Sequence, residues 1–125
     1  MPAAPRARSE SLPRRETLRR GADYQSCYRW GGRRQGALVT LHFRANDEGH
    51  PRLGVTVSRK VGQAVVRQRL KRWTREVYRR HPRRDALAAF DLVVHFKPPA
   101  RAAHFADFAG ELDRLLAALP RTVSR

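Results

Sequence analysis

Residues 63–80 read QAVVRQRLKRWTREVYRR, and the interpretation of the whole chain starts from this stretch. Its large apolar residues recur at the spacing of an α-helix and fall on one narrow stripe. They are Val66, Leu70, Trp73 and Val77. At about 100° per residue, cationic side chains fill the opposite side of the same helix. The pattern therefore predicts a helix over residues 63–80 with one face in the core and the other face basic.

The basic face of this predicted helix is unusual in its charge balance. Between positions 59 and 84 there are eleven Lys or Arg residues and a single acid, Glu76. An ordinary solvated helix face mixes both signs, because like charges four residues apart destabilise the helix. Arg also presents a planar fork that suits phosphate. The imbalance therefore favours a polyanion-binding face over a merely solvated one.

The composition of the chain agrees with this interpretation. The chain has 125 residues, enough for one domain, and 27 Lys or Arg against 11 Asp or Glu give a net charge of +16. Such a charge attracts polyanions, nucleic acid first and an anionic membrane second. The one cysteine, Cys27, excludes an intrachain disulfide and a Cys-based zinc site. No apolar run approaches the about 18 residues of a membrane span, so a soluble, cytoplasmic protein is expected.

The sequence on both sides of the basic helix predicts further helices and strands, in an order typical of an α+β domain. Helices are predicted over residues 22–30 and 102–119, and strands over residues 33–36, 38–44, 52–58 and 91–97. The turn residues at 46–51 predict that the strands over 38–44 and 52–58 form a hairpin. The expected architecture is helices packed on a small, mainly antiparallel sheet. A flexible basic arm (1–15), a single domain (16–120) and a short tail (121–125) are expected.

The sequence contains no recognisable catalytic motif. It lacks a phosphate-binding glycine loop and a nucleophile elbow, and its histidines have no helical metal-ligand spacing. A self-contained metal-dependent nuclease needs clustered carboxylates to hold its ions. Asp107 and Glu111 are four residues apart on the last helix, where a solvated face is the simpler interpretation. We therefore expect no catalytic residue and no metal ligand in this chain.

Three aromatic residues predict a second surface. Tyr24 and Tyr28 share one face of the first helix, and Phe43 lies on a strand. Together they can form a stacking platform for unpaired bases, or they can be ordinary core residues between helix and sheet. The pattern alone leaves both interpretations open.

Residues 52–76 read RLGVTVSRKVGQAVVRQRLKRWTRE, which closely resembles the signature of the bacterial ribonuclease P protein family. That signature is a Gly-hydrophobic strand ending in Ser-basic-Lys, followed by Gly-x-Ala-Val-x-Arg-Asn-Arg-x-Lys-Arg. The resemblance extends more loosely over residues 17–119. The departure is Gln68, which stands where the family has Asn. Tyr24 and Tyr28 likewise replace the commoner Phe.

The resemblance implies a fold and a function. The fold is an α–β sandwich similar to the second domain of ribosomal protein S5, with a left-handed βαβ crossover through the basic helix. The family protein is a subunit of a ribonucleoprotein whose catalytic RNA, with Mg²⁺, hydrolyses the bond joining the 5′ leader to a precursor tRNA. The Mg²⁺ is bound mainly by the RNA, so the partners implied are the catalytic RNA and precursor tRNA.

The resemblance also assigns residues by position. The residues implied to face the catalytic RNA are Arg59, Lys60, Arg67, Gln68, Arg69, Lys71, Arg72 and Arg75. The residues implied to line the cleft for the single-stranded leader are Tyr24, Tyr28, Phe43, Ser58 and Lys97. The main alternative is a structural, ribosomal-type RNA-binding protein of S5-like fold. A stand-alone nuclease and a nonspecific DNA-binding protein are further alternatives, and no obligate protein partner or membrane is expected.

Overall fold

A computed structural model describes residues 12–81 and 89–120 of the chain. Within these residues, three α-helices and four β-strands form the α+β arrangement that the sequence predicts. The helices are α1 (Gly21–Trp30), α2 (Ala64–Arg80) and α3 (Phe105–Ala117), and the strands are β1 (Gly32–Gln35), β2 (Val39–Ala45), β3 (Arg52–Thr56) and β4 (Phe90–Phe96). Short 3-10 turns occupy Arg14–Glu16 and Pro98–Ala102.

The four strands form one sheet in the order β1-β2-β4-β3. β2 pairs antiparallel with both β1 and β4, whereas β3 pairs parallel with β4. The sheet is therefore mainly antiparallel, as predicted. Because α2 connects β3 to β4, these three elements form the parallel βαβ unit that the family resemblance implies.

The predicted hairpin between residues 38–44 and 52–58 is wrong, because β4 lies between β2 and β3. β4 is the most apolar strand, and six of its seven residues are buried, which suits a central position covered on both faces. The turn residues at 46–51 still connect β2 to β3, but they pass the start of β4 and do not close a hairpin. There, the Asn46 side-chain amide donates to the carbonyl of His50 at 3.2 Å and to the Asp91 carboxylate at 2.8 Å.

The two faces of the sheet carry separate clusters. The core face, which includes Leu41, Leu92 and Val94, packs against α2 and α3. On the opposite face, Val93 packs with Cys27 of α1, and we call this side of the sheet the α1 face. The sheet thus has a thick apolar core on one side and a single short helix on the other.

The stripe predicted on the basic helix is confirmed. Leu70 and Val77 are buried in the core, and Val66 and Trp73 pack against it while remaining half-buried. The helix itself begins at Ala64 and ends at Arg80, within one residue of the prediction. Its apolar side fixes the rotation of α2, so its other side must point away from the sheet.

The last helix begins later than predicted and contains an unexpected buried acid. Residues 98–102 form a 3-10 turn, and α3 starts only at Phe105. The sequence predicts a solvated Glu111, but this residue is buried. Its carboxylate accepts hydrogen bonds from three backbone N–H groups at 2.9–3.0 Å. These N–H groups belong to residues 37–39, so Glu111 fixes the turn between β1 and β2.

The predicted domain boundaries are only partly covered by the described residues. Residues 1–11 and 121–125 lie outside them, so the arm and the tail cannot be compared there. Leu12 packs against the core and Thr17 bridges to Leu53 of β3, so the domain includes residues before position 16. No helix in the described ranges is both long and apolar enough to cross a bilayer.

Candidate nucleic-acid interface

The cationic side of α2 lies at the surface. The basic face of α2 comprises Arg67, Gln68, Arg69, Lys71, Arg72 and Arg75. All six are exposed or half-buried, whereas Leu70 between them is completely buried. The arginines that the sequence assigns to one surface are therefore together on one helix, and they are not turned into the core.

Within residues 12–81 and 89–120, no acid pairs with this surface. Glu76, the one acid of the helix, pairs with Arg80 at 3.4 Å in the last turn. Across the described residues, no side chain of the basic face forms an ion pair with a carboxylate. The Nε atoms of Arg67 and Arg69 are shielded from solvent and lack a hydrogen-bond partner. The basic face thus holds unneutralised charge and unused donors.

One border of the basic face is fixed by an aromatic contact. The guanidinium of Arg69 lies over the Trp73 ring, 5.4 Å from its centroid, and its Nη2 donates to the Arg101 carbonyl at 3.5 Å. Its contact with the half-buried Trp73 places Arg69 at the boundary between the apolar and cationic sides of the helix. The same contacts bring the turn at residues 98–102 close to α2.

A groove extends the basic face beyond the start of α2. It has a volume of about 650 Å³ and is lined by Arg59, Lys60, Gln63, Arg67 and Arg101, among others. Arg59 and Lys60 come from the segment after β3, so the structure joins them to α2 as predicted. Arg101 was missed, because it follows β4 in the sequence and only the folded chain brings it to this groove.

A second surface forms where α1 crosses the sheet. The hydroxyl of Tyr28 is hydrogen-bonded to Thr56 Oγ1 at 2.8 Å, and its ring stands edge-on to His42 at 4.7 Å between centroids. Thr56 is in turn 2.8 Å from His95 Nδ1. We call this group, with Tyr24, the tyrosine surface. The two histidines were not singled out by sequence, although strand alternation puts His42 on the side opposite Leu41.

Tyr24 links the tyrosine surface to the basic face. Its hydroxyl donates to the Leu18 carbonyl at 3.4 Å, and its ring covers Gly54, where a Cβ would lie 2.7 Å from ring atoms. A small cleft of about 190 Å³ runs from Tyr24 and Gly54 to Lys71 and Arg75 of α2. Burial raises the pKa of both tyrosines, so their phenols are neutral at physiological pH.

Phe43 does not join the two tyrosines, so the three-ring platform, one of the two interpretations that the sequence left open, is not formed. Its ring lies on the core face, 5.5 Å from the Phe90 ring, and the Arg34 guanidinium covers it at 5.1 Å. The physical reason is the pleat of β2, which sends alternate side chains to opposite faces. Phe43 therefore shares the side of Leu41 and not the side of His42.

Ser58 and Lys97 lie beyond the carboxyl ends of β3 and β4, which are parallel and finish at the same edge of the sheet. Ser58 is exposed. The Lys97 ammonium donates to the Gly36 carbonyl at 2.6 Å and to the Gln35 side-chain oxygen at 3.0 Å. Lys97 thus has a structural contact with the turn after β1, in addition to the leader contact that the family resemblance implies.

The buried polar groups of this region already have structural partners. Arg52 binds the Asp91 carboxylate through two hydrogen bonds of 2.8 Å, and Asp91 itself is buried. Burial raises the pKa of the Cys27 thiol to about 12, with Asp91 nearby adding to the effect. In the described residues, no three His, Cys, Asp or Glu side chains are grouped so that they could hold a metal ion.

The comparisons with known proteins identify the family. The model of the family named Ribonuclease P matches residues 12–120, which include both surfaces. The chain belongs to the ribonuclease P protein family. It is 38% identical over 115 residues to the ribonuclease P protein component of Acidothermus cellulolyticus, covering 89% of this chain and 93% of that one. It is 40% identical over 86 residues to the component of Thermotoga maritima, with coverages of 69% and 73%.

Solved ribonuclease P proteins share the fold. A structure of the Staphylococcus aureus RNase P protein matches with a TM-score of 0.76 at 29% identity, over 82% of this chain and 93% of that chain. A Thermotoga maritima structure matches with a TM-score of 0.75 at 31% identity, over 84% and 98%. The chain is accordingly a subunit of ribonuclease P, a tRNA-processing endonuclease, and partners the RNA subunit of this ribonucleoprotein. This decides against the structural, ribosomal-type alternative.

Proposed function

We propose that this subunit binds the catalytic RNA through the basic face of α2 and the 5′ leader of precursor tRNA through the tyrosine surface. The RNA, with Mg²⁺ bound mainly by its own phosphates, carries out the hydrolysis in the cytoplasm. The observation that carries the proposal is the unneutralised basic face beside a second, aromatic surface. Two surfaces of different chemistry suit two RNA segments of different structure.

The basic face suits a folded RNA. Its cations lie in adjacent rows on one rigid helix, and Arg59, Lys60 and Arg101 continue them around the groove. A phosphate backbone that follows these rows releases counterions at each contact, which gives affinity without reading sequence. Arg can also bind one phosphate with two hydrogen bonds. These features support assignment of the catalytic RNA to this face.

The tyrosine surface suits an unpaired strand. Aromatic rings stack on bases of any sequence, and each stacked base contributes roughly 1–3 kcal/mol. Tyr24 and Tyr28 are half-buried, so part of each ring remains available. The leader is single-stranded, whereas the body of a tRNA is mostly helical and hides its base faces. This difference supports assignment of the leader to the tyrosine surface.

The arrangement of acids supports a reaction carried by RNA. Mg²⁺ requires several oxygen ligands in near-octahedral geometry. In the described part of the chain, Asp91 is bound by Arg52 and Asn46, and Glu111 by backbone N–H groups. Cys27 is buried and protonated, so it is a poor nucleophile. RNA phosphates are the available alternative as metal ligands.

Reconstitution from two purified components tests the proposal. The protein alone is expected to leave precursor tRNA intact, and the protein with catalytic RNA at low Mg²⁺ is expected to cleave it at the mature 5′ end. Catalytic RNA without protein under the same conditions is the control and should be much less active. Cleavage by protein freed of all RNA, or no stimulation of the RNA by the protein, would contradict the proposal.

A further inference from the structure

Two histidines meet on the tyrosine surface. His42 of β2 and His95 of β4 have ring centroids 6.3 Å apart, and the Tyr28 ring stands edge-on to both, at 4.7 and 6.0 Å. All three side chains are half-buried. Rings from three elements therefore converge on the part of the α1 face that lies beside the helix.

A chain of hydrogen bonds occupies only one of the four imidazole nitrogens. Tyr28, Thr56 and His95 Nδ1 are connected by two contacts of 2.8 Å. Among the described residues, His95 Nε2 and both nitrogens of His42 have no hydrogen-bond partner. They are also not sealed from solvent, in contrast to Nε2 of the buried His81. Three imidazole nitrogens thus remain free to bind a ligand.

The charged groups that face the histidines are cationic. Arg33 lies opposite His42 in the register of β1 with β2, and Lys97 follows His95 by two residues. α1 contributes Tyr28, whose phenol is neutral, and β3 contributes the uncharged Thr56. The acids Asp91 of β4 and Asp23 of α1 also lie on this face, and both are paired with Arg52. Burial, His95 and Arg33 all lower the pKa of His42, so this imidazole is neutral at physiological pH.

We propose that His42 and His95 contact the polar groups of the leader, and that leader binding is coupled to uptake of a proton by His42. The inference rests on the proposed function, because it deepens the leader site. It assigns a role to two residues that neither the sequence motif nor the aromatic pattern identifies.

The coupling follows from the charge of the ligand. A leader phosphate placed beside His42 opposes the repulsion from Arg33 and favours the protonated imidazole. If the complex holds one more proton than the free partners, linkage requires the binding affinity to increase as the pH falls. The increase is at most about tenfold per pH unit. The same phosphate far from the histidines would give no such dependence.

The test compares two substrates on the reconstituted holoenzyme. One precursor tRNA carries a leader of several nucleotides, and the other carries a single leader nucleotide. The ratio of their kcat/KM values is measured from about pH 6 to about pH 8, so that pH effects on the cleavage step cancel. We expect the advantage of the long leader to increase roughly three- to tenfold as the pH falls over this range.

Matched variants assign the effect. His42→Gln keeps a hydrogen-bonding side chain that does not titrate, and it is expected to flatten the pH dependence of the ratio. His95→Gln removes a group that lowers the pKa of His42, so it is expected to move that dependence to higher pH. His104→Gln removes an exposed histidine that precedes α3 and should behave as the unchanged protein does. Thermal unfolding of each variant checks that it is folded.

A second measurement does not depend on activity. The His42 imidazole resonance is followed by NMR during pH titration of the full chain, with and without a single-stranded oligoribonucleotide of leader sequence. The midpoint should move to higher pH when the oligonucleotide binds. An unmoved midpoint, or a wild-type leader advantage that is constant with pH, would overturn the inference while leaving the leader site in place. If a long leader gives no advantage at any pH, the leader site itself is wrong.

Discussion

The basic face of α2 and the tyrosine surface differ in how far apart their residues lie in the sequence. The basic face is contained in residues 67–75 of one helix, whereas the tyrosine surface draws on α1, β2, β3 and β4. The basic face forms whenever α2 is folded and its apolar side packs against the core. The tyrosine surface forms only when the strands adopt their register. Changes far from the tyrosine surface should therefore affect leader binding more than they affect binding of the catalytic RNA.

The largest effect is expected for Glu111→Ala. The Glu111 carboxylate holds the turn at residues 37–39 from the core side, while Lys97 holds Gly36 from the α1 face. Removal of the carboxylate leaves three N–H groups without their charged acceptor. We expect a loss of roughly 3–5 kcal/mol in the free energy of unfolding, measured in urea.

Asp107→Ala is the matched control, because Asp107 is an exposed acid in the first turn of the same helix. It should cost less than about 1 kcal/mol, the usual contribution of an acid near a helix N-terminus. Equal and small losses in both variants would show that the long-range contact of Glu111 does not support the fold.

The next effect is expected for Tyr24→Ala, which removes a ring from the tyrosine surface. It should raise KM for a precursor with a long leader by the equivalent of about 1–3 kcal/mol and spare the affinity for catalytic RNA. Gly54→Ala should act in the same direction, because the added Cβ would lie 2.7 Å from the Tyr24 ring and displace it. Equal losses for leader and catalytic RNA would indicate a folding defect, as expected if Tyr24 is only a core residue.

A smaller effect is expected for Arg72→Ala or Arg75→Ala on the basic face. Each should weaken binding of catalytic RNA by about 1 kcal/mol and reduce the slope of log K against log salt by about 0.7–1 for each phosphate that the variant no longer neutralises. Arg114→Ala, which removes an exposed arginine of α3, is the control and should leave the slope unchanged. An unchanged slope in the α2 variants would exclude these residues from the interface.

An effect of similar size is expected at Cys27, whose ionisation reports whether α1 is docked. Its pKa is raised from 9.0 to about 12, so the buried thiol favours the folded state fully below pH 9. Above this pH the Cys27 thiol ionises in the unfolded chain but not in the folded one. The free energy of unfolding should therefore fall by about 1 kcal/mol between pH 9 and pH 10. Cys27→Ala should reduce this alkaline loss. Rapid labelling of the native thiol at neutral pH would contradict the buried position.

The same difference explains which features could be predicted from the sequence. Leu70 and Val77 are assigned to the core correctly because a helical period is a local property of the chain. The predicted hairpin is wrong because turn residues do not reveal that a distant strand, β4, inserts between β2 and β3. The parallel βαβ unit is expected only from the family resemblance.

Individual side chains follow the same rule. The sequence suggests a solvated acid at Glu111 because the partners of this carboxylate lie on a distant turn. Arg101 was missed because only the folded chain brings it to Arg59 and Arg67. Phe43 is different, because the alternation of β2 already separates it from His42 and could have excluded it from the aromatic platform.

Site-directed cross-linking tests the central claim most directly, because it asks which RNA each surface touches. A photoreactive group is attached to Gln68→Cys on the basic face or to Ser58→Cys beside the tyrosine surface, and the native Cys27 is too buried to react. In the holoenzyme bound to precursor tRNA, position 68 should cross-link to the catalytic RNA and position 58 to the leader. Cross-links from both positions to the same RNA, or from position 68 to the leader, would contradict the account.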